Sequence, residues 1–121
     1  MSSEFYSWAH IVGILLLFCG LTGLWGGYAA GQAPRKGVRI ALSATHGVGM
    51  MLMLISGFAL AAHIGVGESL PVWIYFKLAI WFLLGASMIL AKRKADWGFG
   101  LIVLWIGLGA VAAFLGIYKP I

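Results

Sequence analysis

Four long apolar runs, separated by three short breaks, occupy almost all of the chain's 121 residues. The breaks are "GQAPRKGVR" around Arg35, "HIGVGESLP" around Glu68 and "KRKAD" around Arg93. A helix rises about 1.5 Å per residue, so an apolar run of about 20 residues crosses a hydrocarbon core about 30 Å thick. With 63% hydrophobic and only 9% charged residues, the chain cannot cover a water-soluble globule with polar side chains. The sequence therefore predicts an all-α fold, a single antiparallel bundle of four transmembrane helices.

Helix-end signals set the expected bounds of the four helices at about residues 5–28, 38–63, 71–91 and 96–118. Pro71 suits the first turn of the third helix, with Ser69 or Leu70 as its cap. Asp96 is the expected N-cap of the fourth helix, and Pro120 lies just past that helix. Because all three connections are short, helices adjacent in sequence should run antiparallel, and both termini should lie at one end of the bundle.

The distribution of basic residues predicts how the bundle sits in its membrane. Six of the eight Lys and Arg residues lie in the first and third breaks, the excess typical of cytoplasmic loops. We therefore expect a multi-pass protein of the bacterial inner membrane, with both termini in the periplasm and the lipid bilayer as its surroundings. No basic and aromatic stripe remains elsewhere, so the sequence predicts no nucleic-acid partner.

Four ionisable side chains lie within or beside the predicted spans: His10, His46, His63 and Lys77. Such groups are costly in lipid and are functional candidates for that reason. Counted along the helices, His10, His63 and Lys77 should share one outer layer, while His46 enters from the cytoplasmic end. The carboxylates lie outside the spans or at their ends, and no His, Cys or Asp cluster has the spacing of a zinc site.

Histidines on facing helices can ligate the iron of a b-type haem, which needs an apolar slot between helices. His10 and His63 lie at compatible depths, so we expect these two as the metal ligands, with Lys77 near a propionate. His46, followed by Met50 and by Met53, offers another haem site. The alternatives are a helix–helix hydrogen bond for His10 or His46, an interfacial position for His63, and a snorkelling ammonium for Lys77.

The segments "SWAHIVG", "SATHGVGMMLMLISGFALA" and "PVWIYFKLAIWFLLGASMILAKRK" resemble the small tetraspan proteins of the SirB type. They are more distantly similar to the HemJ-type membrane protoporphyrinogen oxidases, a family associated with b-type haem. The resemblance implies that His10 is the first-helix histidine and Lys77 the third-helix lysine of that pattern. The chain lacks the arginine that the HemJ type has further along helix one. It also lacks the SirB-type aspartate early in helix two, where Gly49 and Met50 stand.

Two functions fit these features. The first is a redox-linked bundle that binds haem b. The alternative is a non-catalytic accessory or assembly subunit that binds other membrane subunits or further copies of itself. Small residues spaced by four support the alternative, because they let helices approach closely: Gly23 with Gly27, Gly109 with Ala113, and Ala112 with Gly116.

Overall fold

Four long α-helices make up the computed structural model, which describes residues 2–65 and 70–119. They are α1 (Ser3–Ala29), α2 (Lys36–His63), α3 (Val72–Arg93) and α4 (Phe99–Tyr118), with a 3₁₀ turn at Ala95–Trp97 before α4. Each α-helix is long and apolar enough to cross a membrane, and the described residues include no strand. The predicted all-α fold, with four helices long and apolar enough to span a membrane, is thus confirmed, as expected of a multi-pass membrane protein.

The helix ends differ from the expected bounds in ways that have local causes. Helix α1 starts at Ser3, because the Ser2 hydroxyl accepts a hydrogen bond from the Phe5 N–H at 3.2 Å. Helix α4 starts at Phe99 and not at Asp96, which lies in the 3₁₀ turn. The break comes from Gly98, whose φ of 67° is readily adopted only by glycine.

The remaining helix-end predictions concern the second break and the C-terminus. Helix α3 begins after Pro71, which is its N-cap and adopts an extended conformation. The predictions for Glu68, Ser69 and Pro120 fall outside the described residues.

Helices α1 and α2 form the closest pair in the bundle, and glycines make this contact possible. A Cβ added at Gly49 would lie 2.6 Å from the carbonyl oxygen of Gly13. A Cβ added at Gly20 would lie 2.6 Å from the backbone nitrogen of His46. The two backbones therefore touch directly, as small residues allow between membrane helices.

The second helix pair packs against the first through fewer contacts. The indole N–H of Trp81 on α3 donates to the carbonyl oxygen of Met50 on α2 at 2.9 Å. Helix α4 packs on α3 and reaches α1 where Gly109 lies against the ring of Phe18. The largest of the fully buried apolar side chains are Trp105, Leu17, Leu21, Leu24, Leu84 and Leu101.

Because the helices alternate in direction, α1 and α3 begin at the same end of the bundle where α2 and α4 end. We call this the terminal end, and we call the opposite end, which carries the Arg- and Lys-rich turns, the basic end. Large apolar side chains cover the outside between them; Phe82 is 68% exposed and Ile106 is 64% exposed. Such a surface is suited to lipid contact.

Candidate functional site

A cavity of about 640 Å³ lies among all four helices and opens toward the terminal end. Its walls are mainly apolar, and its deepest part is lined by Phe18 on α1 and Leu84 on α3. The volume falls within the range of about 300–1,000 Å³ that is usual for small-molecule and cofactor sites. We call it the terminal cavity. Five of its lining residues carry hydroxyl, imidazole or ammonium groups: Ser3, Ser7, His10, Lys77 and Lys119.

The ring of His10 is held in one orientation by a short hydrogen-bonded chain. Its Nδ1 lies 2.9 Å from the hydroxyl oxygen of Ser56 on α2. The same hydroxyl lies 2.6 Å from the carbonyl oxygen of Leu52 and 3.2 Å from that of Met53, and a carbonyl oxygen can only accept. With its single proton donated there, the hydroxyl accepts from His10. The Nδ1 of His10 is therefore the protonated nitrogen, and a neutral ring keeps a free lone pair on Nε2. Proteins present histidine to metals in this form, with Nδ1–H donated to a supporting oxygen.

Two lysines converge on Gly116 near the mouth of the terminal cavity. The Lys77 ammonium lies 2.8 Å from the position that a Cβ of Gly116 would take. The Lys119 ammonium donates to the carbonyl oxygen of Gly116 at 2.7 Å and lies 5.6 Å from the ring centroid of Trp73. Among the described residues that line the cavity there is no Asp or Glu. We call Lys77 and Lys119 the lysine pair, and their combined charge favours an anionic group between them.

His63 lies at the same end of the bundle but outside the terminal cavity. Its side chain is exposed at the end of α2, and its ring centroid is 5.4 Å from that of Tyr6. His10 lines the cavity and His63 does not, so the structure does not bring these two predicted ligands to one wall. In the described part of the chain, no three His, Cys, Asp or Glu residues group closely enough to hold a metal ion by themselves.

His46 is buried between helices, with 4% of its surface exposed. Its Nδ1 donates to the carbonyl oxygen of Leu17 at 3.0 Å, and its Nε2 has no partner among the described residues. The ring therefore has a free Nε2, as His10 does, but it does not line the terminal cavity. Its neighbour Met50 packs against Gly85, whereas Met53 lines the cavity beside Gly13.

Two residues of the site were missed by reasoning from the sequence. Ser56 was not among the predicted site residues, yet its hydroxyl accepts the hydrogen bond from the Nδ1 of His10. Lys119 was not among the predicted site residues either, yet its ammonium and that of Lys77 both lie at Gly116. Its position at the same end of the bundle as Lys77 was the one available signal.

Comparisons with protein-family models, with curated proteins and with solved structures found no match to this chain. The terminal cavity and the residues that line it are therefore the basis for a functional assignment.

Proposed function

We propose that the chain binds haem b in the terminal cavity, where the Nε2 of His10 would hold the iron. The observation that carries this proposal is the hydrogen bond from His10 to Ser56, which leaves Nε2 unprotonated beside a cavity of about 640 Å³. A haem ring is flat and apolar, and the mainly apolar walls suit it. When bound, haem supplies one-electron chemistry, and the protein's part is to hold the iron, exclude water and fix the ring's orientation.

The lysine pair supports a defined orientation of that ring. The two carboxylates of haem b lie on one edge of the macrocycle, and Lys77 and Lys119 both lie near Gly116 at the cavity mouth. Lys77 is half-buried, so an ion pair with it would be stronger than one on an exposed surface, whereas Lys119 is exposed and would contribute less. The carboxylate edge would therefore face the terminal end, and the apolar edge would face Phe18 and Leu84.

Met53 carries a thioether and also lines the terminal cavity. It lies on α2 beside Gly13 of α1, on the same closely packed wall as His10, so it does not face His10 across the cavity. His63 and His46 do not line the cavity. We therefore place His10 alone, rather than two histidines, as the iron ligand in the proposed site.

The visible spectrum of the purified protein tests the proposal. We expect a Soret band and reduced α and β bands for the wild type in mild detergent, or after haem is added. The His10→Ala variant should lose these bands while keeping its helical circular dichroism. Absence of a Soret band from the reconstituted wild type would overturn the proposal.

We also propose that the basic end faces the cytoplasm of a bacterial inner membrane, which places the terminal cavity on the periplasmic side. The excess of basic residues around Arg35 and Arg93 supports this orientation. Reporter fusions in each turn test it; a periplasmic signal from either basic turn would contradict it.

The second proposal is a role as an accessory subunit. Fewer small residues support it than the sequence suggested, because several of them pack against helices of the same bundle. Gly23 lies against Leu42 and Gly109 lies against Phe18, so these small residues are used within the bundle. A Cβ added at Gly100 or at Gly107 on α4 would have no neighbouring atom within 4 Å, so these positions remain open to another helix. Native-gel migration of a tagged copy as an isolated monomer would contradict this role.

A further inference from the structure

A second cavity, of about 340 Å³, lies at the basic end of the bundle among α1, α2 and α3. It is lined by Tyr28, Arg39, Ile40, Ser43 and Lys92. Four of these five carry polar groups, two of them cationic, and no described Asp or Glu belongs to the lining. We call this cavity the basic cleft; none of its residues lines the terminal cavity.

The hydroxyl of Ser43 differs from those of the four Ser and Thr residues in the middle of the helices. Thr22, Thr45, Ser56 and Ser87 each donate to the carbonyl oxygen four residues earlier in their own helix. Within the described residues, Ser43 makes no such bond. Its proton is therefore available to a ligand in the basic cleft.

The side chains around Ser43 are also available. The Arg39 guanidinium, the Lys92 ammonium and the Tyr28 hydroxyl make no hydrogen bond to any described residue, although Arg39 and Tyr28 are half-buried. None of these side chains is fully buried. Cationic and hydroxyl donors that converge on one cleft favour a ligand rich in acceptor oxygens, because hydrogen bonds between charged donors and anionic oxygens are the strong ones.

We propose that the basic cleft binds the phosphate of an anionic phospholipid headgroup. The planar guanidinium of Arg39 matches two phosphate oxygens at once, and Lys92 supplies a second positive charge. The hydroxyls of Ser43 and Tyr28 donate to the remaining oxygens. Ile40 is 59% exposed and provides an apolar wall for the start of an acyl chain.

The position of the basic cleft favours a lipid over free phosphate. It lies where the apolar spans meet the basic turns, which is the depth of phospholipid headgroups. In the orientation proposed above, this end faces the leaflet whose anionic lipids attract Lys and Arg. The lipid site does not depend on haem, because the basic cleft and the terminal cavity share no residue.

Native mass spectrometry of the full chain tests the lipid site, with dioleoylphosphatidylglycerol and dioleoylphosphatidylcholine as probes at equal concentration. We expect phosphatidylglycerol to be retained preferentially, since the choline cation of the other lipid would meet Arg39 and Lys92. Arg39→Gln should weaken phosphatidylglycerol binding about ten-fold, and Lys92→Gln about five-fold. Lys36→Gln removes an exposed charge at the same end and should change binding less than about two-fold.

Three results would overturn the lipid site. They are equal retention of the two lipids, equal weakening by Lys36→Gln and Lys92→Gln, or displacement of the bound lipid by millimolar inorganic phosphate. Lys92 is exposed, so its substitution should leave the fold intact even if Arg39→Gln does not fold. Arg39→Lys keeps the positive charge but loses the planar guanidinium that can donate two parallel hydrogen bonds. This variant should also bind phosphatidylglycerol more weakly than the wild type.

Discussion

His10 on α1 donates its Nδ1–H to the hydroxyl of Ser56 on α2, 46 residues further along the chain. This contact joins the two helices that pack most closely, and it fixes which nitrogen of His10 is free to bind a ligand. The Ser56 hydroxyl donates its own hydrogen bond to the carbonyl oxygen of Leu52, so in the bond between Ser56 and His10 the histidine is the donor.

Ser56→Ala tests the role of that hydroxyl in positioning His10. Loss of the acceptor frees the ring to rotate and to change tautomer, so we expect haem affinity to fall by about 10–100-fold, as for other supporting hydrogen bonds at metal sites. Haem titration followed at the Soret band measures this.

Ser87→Ala is the matched control for Ser56→Ala. Ser87 is equally buried and bonds only its own helix, at Leu83. Equal loss of affinity in the two variants would show that Ser56 acts through general packing and not through His10.

Gly49→Ala should destabilise the α1–α2 pair. The added methyl group would meet the backbone of Leu17 and of Gly13, neither of which can move independently of its helix. We expect a loss of about 1–3 kcal/mol in the free energy of unfolding. Thermal unfolding in detergent, followed by circular dichroism, measures it.

Gly47→Ala provides the comparison two residues away on the same helix. No atom lies within 4 Å of the Cβ that it would add, and alanine favours a helix over glycine by about 0.5–1 kcal/mol. We therefore expect an unchanged or raised stability. A similar loss in Gly47→Ala and Gly49→Ala would contradict the backbone contact described here.

Lys119→Asn should weaken recognition of the ligand's carboxylates without disturbing the end of α4. Lys119 has a φ of 48°, a left-handed conformation that asparagine adopts more readily than most residues. The comparison uses haem b and its dimethyl ester. We expect the wild type to prefer the free acid, and both Lys119→Asn and Lys77→Gln to lose part of that preference.

Wild-type protein that binds the ester as tightly as the acid would contradict the role of the lysine pair. His10 ligation would stand in that case, because the ester retains the iron. The two parts of the proposed site can thus fail separately.

Trp81→Phe should reduce stability by about 1 kcal/mol, because it removes the hydrogen bond that links α3 to the Met50 carbonyl of α2. Trp8→Phe is the control, since Trp8 is 61% exposed at the terminal end. Equal melting temperatures for the two variants would show that the α2–α3 contact does not depend on this bond.

The fold could be predicted from the sequence because lipid leaves few choices. A run of apolar residues in a membrane must satisfy its own backbone, so its length and composition suffice to identify a helix. The predicted start of α4 was wrong. Asp96 is a residue type favoured at helix N-caps, but α4 begins after Gly98, whose positive φ separates the helix from the preceding 3₁₀ turn.

The candidate site was only partly predictable, because depth follows from counting residues but rotation about a helix axis does not. Depth placed His10 and Lys77 in one layer, and both line the terminal cavity. The same counting placed His63 with them, yet its ring lies against Tyr6. The contacts of Ser56 and Lys119 depend on how helices pack, and that packing has no local signal in the sequence.

The most direct measurement of the central claim is a haem titration of the wild type, His10→Ala and His46→Ala, followed at the Soret band. We expect the wild type to saturate at one haem per chain. His46→Ala should lose stability, because it removes the buried bond to Leu17, but its folded fraction should bind one haem as well. His10→Ala should show no histidine-ligated spectrum. Normal binding by His10→Ala, or loss of binding in His46→Ala alone, would contradict the assignment of His10 as the ligand.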